Sequence, residues 1–187
     1  MNIQNSGVLQ IGCFGAIRNL KNHANQALAA IKTADYNNLT LFFHINGTRS
    51  EGPGSDGLLK NLRAIFKYTK HTLVEHPWLT HKQLLQLMPR MDILSQVSIS
   101  ETYNITCGDA VVSNVPVVAS AQVSWLHNSF SRVPHPDDIT DIYFALNQIL
   151  YLEPEKYQKL LNQQLEALNK YNEKSKEIWL HWVHKQK

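Results

Sequence analysis

The stretch from Met91 to Ser120, MDILSQVSISETYNITCGDAVVSNVPVVAS, constrains the fold more than any other part of the chain. Met91–Val97 reads as a buried strand, and the loop after it holds Glu101. Asn104 is placed to start a helix that carries a second acid, Asp109, and Pro116–Ala119 reads as another buried strand. The polar chemistry of this unit sits at the carboxyl end of a strand, the edge where open α/β sheets bind ligands.

The rest of the chain repeats the alternation. Val8–Phe14 and Leu39–Ile45 are apolar runs closed by Gly15 and by Asn46-Gly47, so both read as buried strands. Between them Lys21–Thr33 carries Ala27, Leu28, Ala30 and Ile31 at helical spacing. Ser50–Gly57 reads as a flexible loop, and Leu58, Leu59, Leu62, Ile65 and Phe66 mark an amphipathic helix after it. Thr72–Glu75 is a candidate third strand, and Thr80 suits the N-cap of a short helix ended by Pro89-Arg90. A short strand is expected near Arg132–Val133. From Pro136 onward the apolar stripes are helical, with Trp179 and Trp182 expected to be packing residues. Strands alternating with helices of this length predict a doubly wound parallel sheet with helices on both faces.

Composition narrows the function classes. Hydrophobic residues make up 43% and charged residues 18% of 187, which suits one globular domain with a helical extension. The net charge of +3 is scattered, apart from a mildly basic end at Lys185 and Lys187, so no nucleic-acid arm is expected. No run approaches the roughly 18 apolar residues of a membrane span. MNIQNSG lacks the pattern of a secretory leader, so a cytoplasmic location is expected. The two cysteines, Cys13 and Cys107, fall at apolar positions and are expected to be buried and reduced. The histidines form no ligand set, and no metal site is expected.

Two segments carry candidate chemistry. Gly15-Ala16-Ile17-Arg18-Asn19-Leu20-Lys21-Asn22 follows a strand and opens a helix, so backbone N–H groups and two cations face one sheet edge. That combination suits a diphosphate. In Ser98–Ile105 the acid Glu101 precedes Thr102, Tyr103, Asn104 and Ile105. There the unpaired amides of a helix start, with the helix dipole behind them, would meet an anionic group. Donors aimed at developing charge are worth roughly 3–4 kcal/mol each. Taken singly, Arg18 and Lys21 also fit a solvated turn, Glu101 a helix cap and Asp109 a solvated helix position. Asn46 ends the second strand on the same edge, where Arg49 could reach a phosphate. Trp78, after the third strand, fits either a core residue or a stacking platform.

Taken together, these residues resemble the donor-binding signature of the two-lobed, GT-B glycosyltransferases, close to family four (glycosyl transferases group 1). Glu101, seven intervening residues and Asp109 match the paired acids, and Asn114-Val115-Pro116-Val117-Val118 matches the turn and strand after them. Asn114 stands where the family usually has Gly, a conservative change because Asn tolerates the left-handed conformation. Gly15 and Lys21-Asn22 match the first loop. Ala16 stands where the family's Arg follows the Gly, which makes Arg18 a shifted cation.

The resemblance implies a Rossmann-like nucleotide-sugar-binding domain over residues 1–150 and a helical extension over 151–187 that packs on it. It implies that Arg18 and Lys21 bind the donor diphosphate and that Glu101 binds the donor sugar. Gly15, Asn46, Thr102, Tyr103, Asn104 and Ile105 would surround the nucleotide-diphosphate sugar, and Asp109 would bind the ribose. The implied reaction is sugar transfer to an acceptor hydroxyl with retention, without metal or cofactor. Two such lobes need roughly twice this length, so a separate N-terminal acceptor-binding lobe is the implied partner, and little turnover is expected without it. The alternatives are a non-catalytic nucleotide or nucleotide-sugar binding module and a generic flavodoxin-like domain.

Overall fold

The computed structural model describes residues 6–126 and 131–185. The first five residues and Lys187, read above for leader and charge, lie outside the described residues. Six strands form one sheet: β1 (Val8–Cys13), β2 (Thr40–Asn46), β3 (Thr72–His76), β4 (Ile93–Gln96), β5 (Val117–Ser120) and β6 (Arg132–Val133). Their order is β3-β2-β1-β4-β5-β6, and every neighbouring pair is parallel. The order reverses between β1 and β4, and in sheets of this kind the crevice at such a reversal is where ligands sit.

Among the described residues six α-helices flank the sheet, four between strands and two after the last: α1 (His23–Tyr36), α2 (Ser55–Lys67), α3 (His81–Leu87), α4 (Ile105–Val112), α5 (Ile139–Leu150) and α6 (Pro154–Lys185). Successive strand residues point to opposite faces, and two cores result. On one face Leu9, Ile11, Phe43, Ile45 and Val118 pack with Ala27 and Ala30 of α1, Leu62 of α2 and Leu146 of α5. On the other, Phe14, Leu94, Val117 and Ala119 pack with Cys107 and Val111 of α4, Trp125 and Leu168 of α6. Parallel strands covered on both faces need near-continuous apolar runs, which is why they stand out in the sequence. Cys13 and Cys107 are buried free thiols.

The local signals are specific. Thr80 caps α3 in a reciprocal capping box with Gln83. Asn104 caps α4 by accepting the Cys107 amide. Among the described residues the non-glycine positions with positive φ are Asn22, Asn38, Asn104 and Asn114, all asparagine. Asn114, at φ 56°, takes the left-handed turn in which the resembling family places glycine.

Two expectations are corrected. The first helix begins at His23, because Asn19–Lys21 forms a separate 3-10 turn that Asn22 ends in the left-handed region. Trp179 and Trp182, expected to pack, are 61% and 60% exposed among the described residues. Leu160, Leu161, Gln164 and Leu168 bury one face of α6 against the domain. At ~1.5 Å per residue, the helix then runs past the domain, and the same face continues as Ile178, Trp179 and Trp182.

Candidate functional site

The β1–α1 loop is shaped by its backbone. Gly15 has φ +119°, open to glycine and strained for other residues. Its N–H donates to Asn46 Oδ1 at 2.9 Å, and a Cβ there would lie 3.8 Å from Cε of Lys21, so the lysine stem passes over it. Ile17 exchanges backbone hydrogen bonds with Arg49 and Glu51 at 2.9 Å each, which ties this loop to the one after β2. The 3-10 turn then brings Lys21 back over the sheet edge.

Across the β1/β4 reversal, buried amide side chains latch the second loop to the first. Gln26 of α1 donates to the Lys21 carbonyl at 2.7 Å and accepts from Ser95 Oγ at 2.7 Å and the Val97 amide at 2.9 Å. Asn22 donates to the carbonyls of Val97 and Pro136, and the Ile99 amide donates to the Leu20 carbonyl at 2.8 Å. Gln96 donates to the Phe14 carbonyl at 2.8 Å and accepts from Asn104 Nδ2 at 3.0 Å. These contacts fix where Glu101 and Lys21 meet.

They meet as a nearly buried ion pair, Lys21 Nζ on Glu101 Oε2, with 11% and 10% of their side-chain surfaces exposed. Asn104 Nδ2 donates to the same oxygen at 3.1 Å, and the Thr102 amide donates to Oε1 at 3.1 Å. Burial alone would raise the Glu101 carboxyl. The Lys21 hydrogen bond and charge, with the Thr102 amide and Arg18, outweigh it and hold the carboxyl below its ordinary value. Arg18 is exposed and makes no ion pair among the described residues, yet its charge is felt at both Glu101 and His23. Arg18, Lys21, Glu101 and Asn104 therefore share the carboxyl ends of β1 and β4.

The other expected residues divide. Ile105 is exposed at the first turn of α4, where helix geometry leaves the amides of residues 105 and 106 without intrahelical partners. Asn46 is buried, and its amide bridges Gly15 to the Pro77 carbonyl, so it shapes the loops. Tyr103 turns toward the last helix: its ring lies 5.4 Å from Tyr171 and 6.0 Å from Trp125, whose indole donates to the Tyr103 carbonyl. Thr102 is exposed and contributes its amide to Glu101. Asp109 is buried one turn further on; Oδ1 lies 2.9 Å from His81 Nε2, and Oδ2 has no partner. Trp78 is half-exposed under the Arg49 guanidinium, 4.2 Å from its ring centre, and Arg49 pairs with Glu51 at 2.6 Å.

Four contributors carried no legible signal. Gln26 and Gln96 act through contacts 69 to 82 residues away. His81 reaches Asp109 across 28 residues. His23 is buried beside the cations with both ring nitrogens unpartnered. Burial, then the charges of Lys21 and Arg18, push its imidazole down to about 4, so it is neutral at pH 7. Among the described residues no three His, Cys, Asp or Glu side chains cluster as metal ligands, and no helix is long and apolar enough to cross a membrane.

No protein-family model matches the chain, and no curated protein matches it in sequence. Solved structures do. The catalytic domain of cholesterol-α-glucosyltransferase from Helicobacter pylori superposes with a TM-score of 0.69 at 14% identity, over 87% of this chain and 98% of that one. A UDP-forming α,α-trehalose-phosphate synthase from Burkholderia xenovorans gives a TM-score of 0.71 at 13% identity, over 89% of this chain and 42% of that one. An Escherichia coli trehalose-6-phosphate structure bound with UDP-2-fluoro glucose gives 0.71 at 13%, over 90% and 42%. The chain thus spans about 42% of the length of the trehalose proteins and nearly all of the Helicobacter domain. At these identities the likeness establishes the architecture, and the chain has the fold of a GT-B glycosyltransferase lobe.

Proposed function

We propose that this chain is the donor-binding half of a retaining glycosyltransferase, which takes a nucleotide-diphosphate sugar and passes the sugar to an acceptor hydroxyl. One observation carries the reading: a nearly buried Lys21–Glu101 pair at the β1/β4 reversal, beside the amino terminus of α4. An ion pair that burial penalises is poor evidence of stability, and it suits a site whose two charges have separate ligands. Donor binding exchanges partners. The diphosphate replaces Glu101 on the Lys21 ammonium, with Arg18 beside it, and a sugar hydroxyl donates to the freed carboxylate. The amides opening α4 and its dipole face the leaving diphosphate as charge develops. Asp109 takes the ribose hydroxyls in competition with His81.

The acceptor and the remaining reacting groups would come from a separate N-terminal lobe. Support for such a partner comes from the end of α6, whose apolar face at Ile178, Trp179 and Trp182 is left exposed by the described residues. The two buried thiols suit a reducing, cytoplasmic setting. A second reading uses the same site: a nucleotide-sugar binding module without turnover. Calorimetric titration with UDP, GDP and ADP and their glucose conjugates tests binding, and a radiolabelled transfer assay with and without an added amino-terminal lobe separates the two readings. Weak binding with little transfer by the chain alone is the expected outcome. No binding of any nucleotide at millimolar concentration would end both readings.

A further inference from the structure

The sheet edge opposite the candidate site carries an aromatic surface that the donor reading does not use. Three of the seven exposed aromatic residues among those described gather there: Tyr36, Phe144 and Tyr151. Tyr36 closes α1, Phe144 lies on α5 and Tyr151 follows it, while Gly7 and Leu39 beside them precede β1 and β2. The surface is thus at the amino ends of the strands, about 20 Å of strand away from Gly15 at ~3.3 Å per residue.

Two concavities flank the Tyr151 ring. One of 370 Å³ is lined by Phe144, Asn147, Gln148, Tyr151 and Leu152. The other, of 410 Å³, includes Tyr36, Asn37, Asn38 and Tyr151. Among the described residues neither has a Lys, Arg, His, Asp or Glu in its lining. The rings are held in place although they are exposed. Tyr151 OH donates to Asn37 Oδ1 at 2.7 Å, and Asn37 Nδ2 is anchored on Asn147 Oδ1 at 2.7 Å and the Thr33 carbonyl at 2.8 Å. The Tyr36 ring meets Tyr143 edge-on at 6.1 Å, and Tyr143 lies 5.3 Å from Phe144. An exposed ring fixed in this way presents area at little entropy cost on binding. The face of an aromatic ring is electron-rich and attracts partly positive C–H groups. Side-chain amides supply both donors and acceptors without charge.

From that chemistry we propose that the amino edge is a second binding site, for a neutral oligosaccharide, with successive sugar rings lying on Phe144, Tyr151 and Tyr36. Pyranose rings offer C–H faces to the aromatics and hydroxyls to the Asn147, Gln148 and Asn38 amides. With no charged side chain among the described residues that line them, the two concavities disfavour a nucleotide or an acidic glycan. This site stands independently of the donor reading, since it shares no residue with it.

The test uses the whole chain, titrated with maltohexaose, cellohexaose and chitohexaose and followed by saturation-transfer NMR and calorimetry. At least one hexasaccharide is expected to bind, with Phe144→Ala and Tyr151→Ala each weakening it about tenfold. Tyr151→Phe, which keeps the ring and removes its anchor, is expected to weaken binding less. UDP affinity is expected to stay the same in all three variants. No binding of any of the three sugars, or binding that both alanine variants retain, overturns the proposal. A dimer by light scattering that Phe144→Ala dissociates, without sugar binding, overturns it in favour of an interface between copies.

Discussion

The two halves of the carboxyl edge solve the placement of charge in opposite ways. At β1/β4 a lysine and a glutamate are nearly buried and held by amides from Asn104 and Thr102. At β2/β3 the charges stay in water: Arg49 and Glu51 pair in the open, and Arg63 grips Glu75 through two exposed hydrogen bonds at 2.8 and 2.7 Å. Exposed pairs of the second kind contribute roughly 0–1 kcal/mol. A buried pair costs several kcal/mol to desolvate, and removing one partner costs about 3–5 kcal/mol more than leaving it intact. Burial of charge is therefore concentrated where the fold reverses, with no stability benefit that would explain it.

The sharpest way to break this contrast is to remove one cation on each side. Lys21→Ala is expected to destabilise the chain by about 3 kcal/mol because Glu101 is left buried and unpaired. Arg49→Ala is expected to cost about 0.5 kcal/mol. Urea unfolding of both variants gives the comparison directly, and equal losses would remove the distinction. The double variant Lys21→Met with Glu101→Leu is expected to recover most of that stability, because apolar side chains of similar volume replace the pair. It should still fail to bind nucleotide; if it binds like the parent chain, the pair is only structural.

Acid sharpens the contrast further. His23 and His44 are both neutral in the folded state: burial, then nearby charge, pushes each down to about 4. The unfolded chain takes up those protons near 6.5, so the folded chain binds fewer protons between 6.5 and 4. Their contribution is complete above 6.5 and falls as pH drops toward 4. Glu101, held below 4.5, keeps its contribution above 4.5 and loses it only as pH falls through its lower folded value. A Tm–pH profile is expected to decline first between 6.5 and 4, and His23→Leu is expected to flatten that part. A parent profile level down to pH 4.5 would contradict the burial of both imidazoles.

The smallest effect separates the two acids. Glu101→Gln is expected to weaken nucleotide-sugar binding more than binding of the bare nucleotide. Asp109→Asn should weaken nucleotide binding while leaving pyrophosphate unaffected. Equal losses for both ligands in Glu101→Gln would make that residue a cap and nothing more.

Much of this arrangement was legible in the sequence because it is written in local chemistry. Parallel strands buried on both faces are apolar runs, Thr80 announces a cap, and Asn114 announces a left-handed turn. The acids and cations of the edge were visible because they punctuate those runs. Gln26, Gln96 and His23 were not, since a buried amide or imidazole has no period and its meaning lies in partners far along the chain. Asn46 was legible as a residue of the ligand edge, but its bridge between two loops was not. Trp179 and Trp182 misled for the opposite reason. Helical spacing predicts which side of a helix is apolar, but it says nothing about whether the domain reaches far enough to cover it.

The contrast rests on Lys21 having a ligand other than Glu101. Calorimetric titration of the parent chain and Lys21→Arg with UDP and with pyrophosphate measures this directly. The arginine variant keeps the charge and the fold while moving the donor group. The expected result is binding of both ligands by the parent chain and a loss of about 1.5–3 kcal/mol for both in the variant. Binding of UDP and pyrophosphate at equal strength by the two proteins would contradict it.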